Sequence, residues 1–155
     1  MGRTPEEMFQ ASRDLKQLTD IIYGEGASTD SNVMAMQGSS VLNRLESNRK
    51  KEFGEETIGN IGEVGYNAVK DNTDLYQQGV TGKFPDKTSE DAYKRAMAVA
   101  SGLLKGTIPR HKAQFYFTEK EEMRIRNAGK KGKKEFDFDL VKRGEDSDGY
   151  RTYHY

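Results

Sequence analysis

The stretch Tyr23-Gly24-Glu25-Gly26 sets one carboxylate between two glycines, directly after a segment with helical patterning. Glycine serves where the chain must bend sharply or where another group must come close to the backbone. The spacing therefore predicts a helix that closes at Gly24, with Glu25 emerging from its end into a cleft. A carboxyl placed in that way can act as a general acid if aromatic or apolar neighbours favour its protonated form. Tyr23, Tyr66, Tyr116 and Phe117 are the aromatics that could surround it and stack on sugar rings. The competing reading is a solvated Glu just beyond a helix. A two-carboxylate glycosidase would need a second acid across the scissile bond. Asp30, Glu63, Asp71 and Asp74 are scattered, and none is marked by its context. Tyr66 and Tyr116 suit either a cleft wall or the core, and Asn67 suits either a substrate contact or a loop-stabilising role.

Composition narrows the chemistry further. The 155 residues are 34% hydrophobic and 32% charged, with 25 basic and 25 acidic side chains. That length predicts a single domain over 1–155, and the zero net charge gives no global drive toward nucleic acid or anionic membranes. The chain has no Cys, which excludes disulfides and thiolate zinc sites. His111 and His154 are the only two histidines, which disfavours a His-rich metal site or a Ser-His-Asp triad, and both are expected at the surface. No apolar run reaches the length of a membrane span, and no secretion signal precedes the first helix. The expectation is a chain made in the cytoplasm and delivered by other means if it works outside.

The elements that must position Glu25 follow from periodicity. Thr4-Pro5-Glu6-Glu7 is a helix start, and Met8, Ala11, Leu15, Leu18 and Ile22 recur at helical spacing after it. Ser28, Thr29, Asp30 and Ser31 form a loop rich in capping residues, with Asp30 or Ser31 capping a second helix over about 32–48. That helix is apolar on most sides and thin at Gly38-Ser39-Ser40, the pattern of a central buried helix. The polar pair Asn43-Arg44 within it needs partners and is read as structural, anchoring the loop that carries Glu25. Gly62 and Gly65 flank an expected loop carrying Tyr66-Asn67-Ala68-Val69. A third helix opens at Thr88-Ser89-Glu90-Asp91 and stops at Gly106. Ala113 to Thr118 is β-prone, Glu119 to Ala128 a charged helix, and Lys130 to Lys134 a basic loop read as solvated. Phe136 to Leu140 and Tyr150 to Tyr155 alternate with period two, which predicts a C-terminal β-hairpin.

Ile22-Tyr23-Gly24-Glu25, followed by Val41-Leu42-Asn43-Arg44-Leu45, resembles the SleB-like cell-wall hydrolases, the spore-cortex-lytic type. Phe53 to Ile61, Gly65-Tyr66-Asn67-Ala68-Val69, the Ala-rich helix from Ala92 to Gly106 and Ala113 to Thr118 continue the likeness in the same order. It spans Leu18 to Thr118. The chain departs from the family pattern at Ala27-Ser28-Thr29, where the family has Arg-Gly-Glu, at Gly65, where it has Gln, and in lacking Pro after Phe53. The resemblance implies a divergent member: a mainly helical α+β, lysozyme-like domain with a small C-terminal β region. It implies a lytic transglycosylase acting on peptidoglycan glycan strands, with Glu25 as acid and then base and a 1,6-anhydro product. Tyr66, Asn67 and Tyr116 would bind substrate, and no metal or cofactor is needed. The alternatives are a muramidase on the same fold, or a catalytically silent wall-binding or virion structural domain. A phage endolysin or virion-carried protein, monomeric, fits the missing signal.

Overall fold

The computed structural model describes residues 2–26 and 30–155; the loop expected at Ser28 and Thr29 lies outside the described residues. The chain is a mainly helical α+β domain with a three-stranded antiparallel sheet near the C-terminus. Helix α1 (Pro5–Gly26) starts on Thr4, whose hydroxyl accepts from the Glu7 amide at 3.1 Å. Its first turns are exposed, so Met8 and Phe9 lie outside the core, whereas Leu18 through Gly24 are buried on every side. Helix α2 (Ser31–Glu46) is capped by Asp30, which accepts from the Asn32 amide at 2.7 Å, and is buried from Met36 to Leu42. Helices α4 (Ile58–Gly65), α5 (Asn67–Lys70), α6 (Asp74–Thr81) and α7 (Lys87–Lys105) surround these two, after a single turn of α3 (Lys50–Phe53).

Small residues set the helix crossings. A Cβ on Gly38 would lie 2.6 Å from Leu103 Cδ1 and 2.8 Å from Ile22 Cδ1, so α1 and α7 both approach α2 at its thin waist, as the sequence predicts. Inside α1, Asp20 is buried yet satisfied: it accepts from Lys16 Nζ at 2.9 Å and from the Tyr93 hydroxyl at 2.6 Å.

Strands β1 (Phe115–Thr118), β2 (Lys142–Arg143) and β3 (Tyr150–His154) are ordered β1-β3-β2, with Phe115 opposite Tyr153 and Thr118 opposite Tyr150. Helix α8 (Glu119–Lys130) leaves β1 directly, so Lys130 ends a helix rather than opening a loop. The expected hairpin between 136–140 and 150–155 is not formed. Residues 138–140 are a 3-10 turn, and β3 pairs with β1 and β2 instead. The alternation of Phe136 and Phe138 reflects ring packing, not a ladder: Phe136 meets Phe115 at 4.7 Å and Phe138 meets Tyr153 at 5.2 Å. The expected loop after Gly62 is likewise two short helices, α4 and α5, joined at Tyr66.

The sheet is tied to α8 by a buried charge. Glu122 accepts from the Tyr153 hydroxyl and from Arg151 Nη1, with Arg126 at 3.8 Å. Burial opposes its charge, but those hydrogen bonds and the two guanidinium groups outweigh it and hold the carboxyl below its usual range. A lowered folded-state pKa contributes stability that is present above the unfolded value, about 4.3, and lost as pH falls through the folded value. Denaturant unfolding measured from pH 6 down to pH 3 should show this loss, and Glu122→Gln should flatten the slope in that window. An unchanged slope would remove Glu122 from the account of acid stability.

Candidate active site

Glu25 sits in the last turn of α1, not beyond it: the helix continues through Gly26. Gly24 is required for close approach rather than for termination. A Cβ there would lie 3.0 Å from Ala68 Cβ and 3.2 Å from Tyr76 Cα, so α5 and α6 rest directly on the α1 backbone. That contact brings the Ala68 amide within 3.2 Å of Glu25 Oε2, to which it donates. The other oxygen, Oε1, accepts from the Tyr116 hydroxyl at 2.7 Å. Both oxygens of a half-buried carboxylate are thus fixed by donors from two separate elements.

Tyr116 is held by its strand. Its ring packs edge-on against Tyr150 at 5.6 Å, and both tyrosines pack against the buried cluster of Val33, Met36 and Ala113. Its phenol pKa is raised well above the ordinary value, first by burial and then by the Glu25 charge, so it remains a neutral donor to that carboxylate. The strand itself is clamped by the Asn43-Arg44 pair. Asn43 Nδ2 donates to the carbonyls of His111 (2.7 Å) and Ala113 (2.8 Å), and Arg44 Nε donates to the Gln114 carbonyl at 2.7 Å. The Arg44 guanidinium also lies over the rings of Tyr66 (4.7 Å), Phe53 and Phe115 (both 5.1 Å). The pair is structural, but what it anchors is the approach to β1, and through it Tyr116, rather than the Glu25 loop. His111 and His154 are both half-buried, not surface residues, and His111 Nδ1 accepts from the Ala113 amide at 3.0 Å in the same segment.

These parts enclose a cleft of about 420 Å³. Glu25, Tyr66, Asn67 and Tyr116 all line it, together with Arg44, Phe117, Glu121 and Tyr150. The four residues singled out in the sequence are therefore brought together, in different roles. Tyr66 is 2% exposed, its hydroxyl shares a 2.6 Å hydrogen bond with Ser40 Oγ, and burial raises its pKa, so it forms the wall. Asn67 is exposed at the rim, and its side chain has no hydrogen-bond partner among the described residues. Asp30, Glu63, Asp71 and Asp74 do not line the cleft. Sequence reasoning missed Tyr150 and Glu121. Tyr150 had a usable signal, its place in an alternating terminal run. Glu121 had none beyond the Thr-x-x-Glu capping pattern that starts α8.

Among the described residues, no group of three or more His, Asp or Glu is placed to hold a metal ion, and no helix is long and apolar enough to cross a membrane. The fold and site thus define a mainly helical α+β protein with an aromatic cleft into which the hydrogen-bonded Glu25 carboxylate is set. No family model matches the chain, and no curated protein and no solved structure matches it.

Proposed function

We propose that the protein cleaves the glycan strands of peptidoglycan as a lytic transglycosylase, with Glu25 as its acid and base. The observation that carries this reading is the Glu25 carboxyl at the cleft, with one oxygen on the Tyr116 hydroxyl and the other on the Ala68 amide. A general acid must be held in a fixed orientation to the atom it protonates, and those two donors supply that. The aromatic walls suit sugar rings, and the cleft volume falls in the range of ligand sites. The resemblance to SleB-like hydrolases in the segments that build the cleft supports the same substrate and a lysozyme-like architecture.

In this mechanism Glu25 gives its proton to the glycosidic oxygen that leaves C1 of N-acetylmuramic acid. The C6 hydroxyl of that sugar then bonds to C1, and Glu25 takes up the hydroxyl proton, which restores the acid. The nucleophile is tethered to the reacting centre, and such tethering can remove roughly 7 kcal/mol or more of the barrier in well-oriented cases. No metal or second carboxylate is needed for that step. The test is the mass of muropeptides released from purified sacculi. The expected result is 1,6-anhydro products, one water lighter than reducing-end products. A digest with reducing ends alone would replace ring closure by hydrolysis, and no release at all would leave a wall-binding domain.

A further inference from the structure

We infer that Glu121 is a second catalytic carboxylate of this cleft, one that activates water and opens a hydrolytic branch beside ring closure. The inference rests on the glycan-cleaving reading of the cleft. Three acids, Glu119, Glu121 and Glu122, occupy the first turn of α8. Arg151 engages two of them, Glu119 at 3.2 Å and Glu122 at 2.5 Å. Glu121 has no ion-pair partner among the described residues, is exposed, and is the one that lines the cleft. It is also positioned: its amide donates to Thr118 Oγ1, and its Oε1 accepts from that hydroxyl, both at 3.1 Å. Its other oxygen is left for solvent or substrate.

Glu25 and Glu121 enter the cleft from different helices, with Tyr150 within reach of both charges. Burial raises the Tyr150 pKa, and the two carboxylates, Glu121 first, raise it further. Two carboxylates on one sugar-sized cleft is the arrangement that lets one protonate the leaving oxygen while the other deprotonates water. In that branch the water oxygen bonds to C1 as the C1–O bond breaks. Glu25 gives its proton to the departing oxygen, and Glu121 takes one from water. Exchange of both carboxyls with solvent restores the resting state.

The bland role of Glu121 is to cap α8, and glutamine can accept the same Thr118 hydrogen bond without the charge. Glu121→Gln therefore separates the two roles. Sacculi are digested in isotope-labelled water with the wild type, Glu121→Gln, Glu121→Asp and Glu25→Gln. Reducing-end products from the wild type should carry the label, and anhydro products should not. In Glu121→Gln the ratio of reducing-end to anhydro products should fall by about 10²-fold or more, the low end for a positioned base. Glu121→Asp should restore part of it, and the melting temperature should stay put. A wild-type digest with anhydro products alone, or a ratio unmoved by Glu121→Gln, overturns the inference. No glycan product from the wild type would instead overturn the glycan-cleaving reading itself, and activity in Glu25→Gln would overturn Glu25 as the acid that both branches share. Loss of that activity alongside an unmoved ratio would sink the Glu121 role alone.

Discussion

Glu25→Gln should abolish wall lysis and leave the fold in place. A general acid contributes about 10²–10⁴-fold in rate, and in the proposed mechanism the same group also serves as the base, so residual clearing should fall below about 1% of wild type. The structure gives the reason to expect that the substitution is tolerated. Glutamine can turn its carbonyl oxygen toward the Ala68 amide and its NH₂ toward Tyr116, whose hydroxyl rotates to accept. Both contacts survive in one orientation, so stability should change by no more than about 0.5–1 kcal/mol. Turbidity clearing and thermal melting on the same preparation check both halves. More than a few per cent of clearing activity would end the catalytic assignment. A large drop in melting temperature would make the loss of activity uninformative about chemistry, and a crystal structure of the variant would then decide.

The second large effect belongs to Arg44. Its Nε carries the Gln114 carbonyl, and its guanidinium lies over three rings. Arg44→Ala strands that carbonyl in a buried segment and removes the stacking, at a cost of about 2–4 kcal/mol. For a chain of this size that is a fall of roughly 5–15 °C in melting temperature. Arg44→Lys should recover less than half of the loss, because an ammonium cannot cover the rings with a planar group. Activity should fall with stability by at least about tenfold, because a small displacement of Tyr116 on β1 is enough to misplace Glu25. Urea unfolding and clearing assays on both variants measure this. Wild-type stability in Arg44→Lys would show that only the charge matters and that the planar clamp is incidental.

What could be read in the chain beforehand follows the range of the forces involved. The helix starts at Thr4 and Asp30, the stop at Gly106 and the thin waist at Gly38 are local signals, a cap hydrogen bond, a left-handed glycine and a missing side chain, and each acts within a few residues. The prominence of Glu25, and the likeness that joined it to Tyr66, Asn67 and Tyr116, were also legible, because they rest on residue types at fixed spacings. The tertiary structure decided the rest. Gly24 looks like a terminator in sequence, but its missing Cβ admits α5 and α6, and only that packing shows why the helix runs on past Glu25. Phe136 and Phe138 carry a strand's alternation, yet ring contacts with Phe115, Phe117 and Tyr153 satisfy it without a ladder. Arg44 and Tyr116 reach their partners across 70 and 91 residues of sequence, a separation at which no local pattern carries information. Glu121 is the sharpest case. In the sequence it is a capping acid among three, and only the placement of Arg151 against Glu119 and Glu122 leaves it at the cleft with no ion-pair partner among the described residues.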